Sequence, residues 1–248
     1  MSELQLTITE PVHGSVLTAP SPLRASVAGD AGGLFYKWYS ALNANATEAQ
    51  PQLNANLGPA SLAGSVVALG EFGTHTLVLA ATDQPGSDIA AVRAVRRSAM
   101  AGGAPPLAPL PCLVHQLAGA AIHPPGGGSL TLPRIGATIA VLAPGIWQRP
   151  NPAVPGSWMP HGDYQAVNGI TLRLRLAPSG PPDPARTGEI PLDLAALTAF
   201  RDDDRTWLRW TGNLPPQVTP GSYVLTLICG AVGSAVTTSV TRAATVTA

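Results

Sequence analysis

Between Gly73 and Asp83 the chain alternates with a period of two, Leu77, Leu79 and Ala81 falling between Thr76, Val78, Ala80 and Thr82. A Gly-marked turn, Leu69-Gly70-Glu71-Phe72-Gly73, leads in, and Asp83-Gln84-Pro85-Gly86 leads out. Successive side chains take opposite faces only in an extended strand, so this stretch reads as one hairpin strand of a half-buried antiparallel sheet. The cleanest pattern of this kind sets Ile170, Leu172, Leu174 and Leu176 against Thr171, Arg173 and Arg175. Short alternating segments divided by Gly, Pro and Asn turns constrain the chain to an all-β fold.

A first module spans residues 1–98, and a second residues 110–248. In the first, Leu4, Leu6 and Ile8 alternate with polar residues, Pro11 to Ser15 is a turn, and Leu23, Ala25 and Val27 make the next apolar face. Leu34, Tyr36 and Trp38 form a third face, followed by a long polar loop, 41–64, with room for one edge strand. Segments 66–69, 74–82 and 89–95 supply the remaining strands. Residues 99–109, Ala-Met-Ala-Gly-Gly-Ala-Pro-Pro-Leu-Ala-Pro, have the composition of a semi-rigid linker. In the second module, segments 138–142, 170–177, 206–210, 223–229 and 235–246 are the expected strands. Residues 192–200 fit either a bent strand or one short helix. Pro220-Gly221-Ser222-Tyr223 is a turn into a strand, similar to the late strand of many immunoglobulin-like and fibronectin-type modules. Two tandem immunoglobulin-like β-sandwich domains joined by a Pro/Ala/Gly linker are therefore expected.

The first module also carries a resemblance. Glu10-Pro11 followed by Gly14-Ser15, then Tyr36-Lys37-Trp38-Tyr39-Ser40, then Leu69-Gly70 to Asp83 with Gly86, resemble bacterial immunoglobulin-like repeats of the PKD-related kind over about ninety residues. In such repeats the strand-C Trp fills the core, which implies that role for Trp38. Tyr39-Ser40-Ala41-Leu42 stands where true PKD domains carry Phe-Gly-Asp-Gly. The resemblance implies an interaction or spacer role.

Composition narrows the function. Only 11% of the 248 residues are charged and the formal net charge is zero, against about 25% charged in an average soluble domain. Lys37 is the one lysine. A nucleic-acid partner would need a basic stripe, and Arg93, Arg96 and Arg97 are the only basic cluster. Two explanations fit so neutral a surface: adaptation to contact with other subunits, or a high-GC genome that depletes Lys. No stretch has the length of a membrane span. Met1-Ser2-Glu3-Leu4 is acidic and strand-like, unlike a signal peptide, so cytoplasmic synthesis is expected, with a place in an exported or particle-associated assembly left open. The two cysteines, Cys112 and Cys229, make no disulfide framework, and Cys229 shares a strand face with Tyr223, Leu225 and Leu227, which favours a buried free thiol over a bridge.

Catalytic and metal chemistry find little support. His13, His75, His115, His123 and His161 are scattered without metal-ligand spacing, and no nucleophile elbow or phosphate loop is present. Pro125-Gly126-Gly127-Gly128-Ser129 has no helix after it and reads as a flexible turn. Asp202-Asp203-Asp204, flanked by Arg201 and Arg205, fits a solvated turn with local ion pairs better than a calcium site, and Asp83 and Asp88 fit turn-making. No cofactor is expected.

The remaining candidate is residues 143–169, a long loop stiffened by Pro144, Pro150, Pro152, Pro155 and Pro160 that bears Trp147, Trp158, His161 and Tyr164. Long loops in compact domains are commonly functional, and aromatics on a stiff loop dominate interface energies. The same aromatics could tuck back as a lid over the sandwich. The sequence thus points to a non-catalytic structural or adaptor protein that docks to other protein subunits, self-association included, in a larger bacterial or phage-like assembly. The alternative is a carbohydrate-binding or adhesive module in which Trp147, Trp158 and Tyr164 stack on sugar rings.

Overall fold

The computed structural model of the chain describes residues 5–19, 21–28, 35–41, 63–67, 72–82, 112–144, 148–150, 158–160, 169–202 and 205–248. The chain divides into two compact units, Met1–Gly70 with Thr74–Gln116 and Trp147–Pro160, and Glu71–Gly73 with Leu117–Ile146 and His161–Ala248. Among the described residues every regular element is a strand apart from two single turns of 3-10 helix, Pro184–Arg186 and Leu194–Ala196.

In the first unit, β1 (Gln5–Glu10), β3 (Ser21–Ala28) and β5 (Ala63–Val67) form one antiparallel sheet. A second sheet runs in the order β2 (Ser15–Leu17), β7 (Cys112–Gln116), β6 (Gly73–Thr82), β4 (Phe35–Ala41), with β2 and β7 parallel. Leu23 from one sheet meets Tyr36, Trp38, Leu77, Leu79 and Val114 from the other, and Ile8, Leu17, Ala25 and Val27 close the sides. Trp38 is 0% exposed and stands in register with Leu79. It is the strand-C tryptophan of an immunoglobulin-like core, and complete burial of so large a ring contributes roughly 2–3 kcal/mol or more.

β6 buries Leu77 and Leu79 as the alternation predicts, but two of its polar residues, Thr74 and His75, are buried as well. The Oγ1 of Thr74 lies 3.0 Å from Nδ1 of His115 on β7. The strand β7 follows residue 110, yet its partner is β2 in the first unit. Residues 83–111, which include Asp83, Asp88, the expected strand 89–95 and the expected linker 99–109, lie outside the described residues, as does most of the expected loop 41–64.

The second unit has the same plan on a larger scale. One sheet runs β13 (Gly188–Leu192), β12 (Ile170–Pro178), β16 (Gly221–Ala231), β17 (Thr237–Thr247), β8 (Leu130–Pro133), with β17 and β8 parallel. The other runs β14 (Thr198–Asp202), β15 (Arg205–Gly212), β9 (Ala137–Leu142), extended by a bridge from Ile122 to Val141. The strands β9, β15 and β14 therefore take the B, E and D places of an immunoglobulin sandwich, and β12, β16 and β17 the C, F and G places. Leu174, Leu176, Leu225 and Leu227 are fully buried on the facing side. The ambiguous stretch 192–200 resolves into the end of β13, the 3-10 turn Leu194–Ala196 capped by Asp193, and the start of β14. Each unit is thus an immunoglobulin-like β-sandwich, and the chain is an all-β tandem of two.

The 143–169 stretch is not wholly without structure. Within it β10 (Gln148–Pro150) and β11 (Trp158–Pro160) pair antiparallel, with Pro150 opposite Trp158.

Candidate functional site

Three places in the described residues gather chemistry or exposed surface. The first is the outer face of the β14-β15-β9 sheet. Directly paired residues share a face, so Phe200, Trp207 and Leu142 lie together, on the side away from the residues paired as Leu208 and Val141. His123 joins them, because its N–H donates to the carbonyl of Ala140 at 2.8 Å on the other side of β9. Its imidazole meets Trp207 edge-on, ring centres 4.9 Å apart, and Phe200 edge-on at 5.4 Å. Its Nε2 lies 2.7 Å from Asp202 Oδ2. Trp207 donates its ring N–H to the carbonyl of Asp202 at 3.2 Å, and the Arg209 guanidinium sits 4.5 Å from the centre of the Phe200 ring. Trp207 ends 0% exposed although it lies on the face away from the core.

The chemistry of this cluster is positional. An imidazole hydrogen-bonded to a carboxylate can hold or pass a proton, but the rings it packs against, Phe200 and Trp207, carry no nucleophile. The carboxylate of Asp202 serves His123, a hydrogen-bond partner that the expected turn with Arg201 and Arg205 did not include. Asp203 and Asp204 lie outside the described residues. Among the described residues no group of His, Cys, Asp and Glu could hold a metal ion. None of the scattered histidines suggested this site. Its one sequence signal was the pair of aromatics Phe200 and Trp207, placed opposite each other only by the β14–β15 register.

The second place is the Gly-rich turn. It is held by a residue more than a hundred positions away. The Arg242 guanidinium on β17 donates to the carbonyls of Ile122 (3.3 Å), Gly127 (3.2 Å) and Gly128 (3.1 Å), and also to that of Pro124. The expected flexible turn is therefore pinned to a strand. Between it and Val240–Ala243 lies a cleft of about 470 Å³.

The third is the end of the second unit's sheet at which β12 begins. Ile170 pairs with Ala231, so the turn from β16 to β17 lies beside the start of β12, and the N–H of Val232 donates to the carbonyl of Gly169 at 2.8 Å. Gly233 takes φ +77, a conformation that costs a side-chain-bearing residue. This turn leaves Val232 62% and Val236 45% exposed. Of the residues expected to bind a partner, Trp147, His161 and Tyr164 lie outside the described residues. Trp158 is placed in β11, with its side chain outside them.

Tyr223 marks the opposite kind of site, a structural one. Its hydroxyl accepts from the Thr219 N–H at 3.1 Å and from Arg186 Nη2 at 3.2 Å, while Arg186 Nε donates to Thr219 Oγ1 at 3.0 Å. A tyrosine near the start of a strand that bonds back to the preceding turn is the tyrosine corner of immunoglobulin-like sandwiches. Cys229, on the same face, is a free buried thiol. No described helix is long and apolar enough to cross a membrane.

No protein-family model matches the chain, and no curated protein sequence matches it. Among solved structures it is similar to the fibronectin(III)-like modules of Clostridium thermocellum CbhA, at 12% identity and TM-score 0.29 over 98% of this chain and 94% of that one. It is also similar to the titin Ig tandem domains, at 10% identity and TM-score 0.30 over 98% and 96%. A further likeness is to Dpr11 IG1 bound to DIP-gamma IG+IG2, at 8% identity and TM-score 0.30 over 98% and 100%. Scores this low carry no weight in the assignment, which rests on strand order, the buried Trp38 and the tyrosine corner: the chain is a tandem of immunoglobulin-like sandwiches.

Proposed function

We propose that the protein is a non-catalytic structural or adaptor component that docks to other protein subunits in a larger bacterial or phage-like assembly. The observation that carries this reading is the exposed β16–β17 turn, where Val232 and Val236 stand apolar and exposed beside Gly169 at the start of β12. Apolar side chains exposed at the end of a sandwich are suited to burial against a partner, the more so on a chain of zero net charge. The His123–Asp202 pair supports the non-catalytic reading, since its ring neighbours are structural aromatics. The first unit, with its PKD-like signature, serves in this scheme as spacer or second docking module. The sugar-binding alternative rests on Trp147, Trp158 and Tyr164, and no described contact favours it.

The test is binding of the full chain to the proteins encoded beside it, followed by size-exclusion chromatography with light scattering. A complex is expected for the wild-type chain and its loss for Val232→Asp, with the melting temperature unchanged. A wild-type chain that binds none of these proteins yet binds glycans overturns the proposal.

A further inference from the structure

We propose that β17 pairs, through its open edge at Thr237–Thr241, with the same edge of a second copy of the chain, antiparallel and about a two-fold axis. This deepens the docking reading by naming one partner, and it rests on that reading's premise that uncovered surface serves contact with protein.

The edge is open because β8 pairs with β17 only from Ala244 to Thr247. On that side of β17, among the described residues, Thr237 to Ala243 has no strand partner. An uncovered edge is a template for another strand, and folded proteins protect theirs with charges, proline or short length. Three other edge strands of this unit are so protected, and the fourth, β9, has the bridge from Ile122 to Val141 beside it. β13 carries Pro191 and also Glu189, which lies 3.9 Å from Arg173 and 4.0 Å from Arg175. β14 ends in Arg201 and Asp202, and β8 is four residues long and ends in Pro133. By contrast Thr237-Thr238-Ser239-Val240-Thr241 has no charge and no proline.

A second copy fits this edge better than a charged partner does. In an isologous antiparallel contact residue i meets residue j and j meets i, and only the residue on the axis meets itself; Thr237–Thr241 carries no charge, so a pairing centred there sets no like charges opposite each other. A register centred on Ser239 sets Thr237 opposite the partner's Thr241, a Thr–Thr pair of the kind that stabilises antiparallel ribbons. The same register sets the exposed Val236 opposite the partner's Arg242, at the mouth of the cleft between the Gly-rich turn and Val240–Ala243. Knob and cleft lie three residues either side of Ser239, so one axis seats both copies. Zero net charge removes long-range repulsion between them.

Light scattering on the full chain over a wide range of concentration should show twice the chain mass at the high end and the chain mass at the low end. The Ser239 side chain is exposed, so Ser239→Lys should weaken self-association ~10-fold or more while leaving the melting temperature unchanged. Ser239→Glu should do the same, and an equimolar mixture of the two variants should recover the dimer. If either loses its native melting transition, Thr241→Lys on the same exposed face takes its place. A wild-type chain that stays monomeric, a dimer undiminished by Ser239→Lys, or a mixture that does not recover overturns the pairing. A monomeric wild-type chain that still binds a neighbouring protein through Val232 overturns the pairing alone. A dimer restored by charge exchange in a chain that binds no neighbour upholds the pairing and overturns docking to other subunits.

Discussion

His123 Nε2 lies 2.7 Å from Asp202 Oδ2, joining the segment that precedes β8 to the end of β14 across 79 residues of sequence. The contact also fixes the imidazole between Phe200 and Trp207. The pair is half in solvent, with side chains 24% and 48% exposed, so its charge contributes little and the ring contacts more. His123→Ala should therefore cost about 1–2 kcal/mol, and Asp202→Asn, which keeps a hydrogen-bond acceptor, less than about 1 kcal/mol. Urea denaturation of the two variants checks the order, and equal losses would show that the carboxylate, not the ring packing, holds the segment.

Tyr223→Phe keeps the buried ring and removes only the hydroxyl. The Thr219 N–H and one Arg186 N–H then lose their acceptor. The expected cost is about 1–2 kcal/mol, seen as a lower denaturation midpoint with unchanged slope. A midpoint unchanged within error would mean that water replaces the hydroxyl at the corner.

Burial pushes the Cys229 thiol up to about 12. The thiolate is the reactive form, so in a Cys112→Ala background alkylation at pH 8 should be slow in the folded chain and fast in denaturant. The raised value has a second consequence. Above the ordinary thiol value of about 8.5 the unfolded chain releases a proton that the folded chain retains, so stability is lost as pH rises from there towards 12. Cys229→Ala should flatten that alkaline limb. Rapid alkylation of the native chain would contradict the burial.

His115 shows the opposite sign. Burial lowers its pKa from 6.5, and the nearby His13 lowers it further. Between the folded value and 6.5 the unfolded chain binds more protons, so stability falls as pH drops through that window. His115→Gln, which takes no proton, should flatten the acid limb between pH 6.5 and the onset of carboxylate protonation. An acid limb identical to that of the wild-type chain would place the loss elsewhere.

How much was legible depended on how local each feature is. Alternation over Ile170–Leu176 named β12 and its buried face, because the two-residue period belongs to the strand itself. Trp38 was readable as core from its place in a Tyr36/Trp38 face. By contrast β13, Gly-Glu-Ile-Pro-Leu, was not expected, since Gly188 and Pro191 argue against a strand when read alone. Its glycine has a reason only in the fold, where a Cβ would stand 2.5 Å from Val218 Cγ2. Proline is tolerated at 191 because β13 is an edge.

The sequence by itself determined that this chain is all-β, which faces of its clearest strands are apolar, and that it has no net charge to offer a nucleic acid. Those properties follow from side-chain period and composition, which need no distant partner. The tertiary structure decided which segments meet: Cys112–Gln116 beside β2, Arg242 on the Gly-rich turn, His123 on Asp202, and the open edge of β17. Each of these depends on strand pairing between segments far apart in the chain, and pairing is settled by the packing of whole sheets rather than by any local pattern.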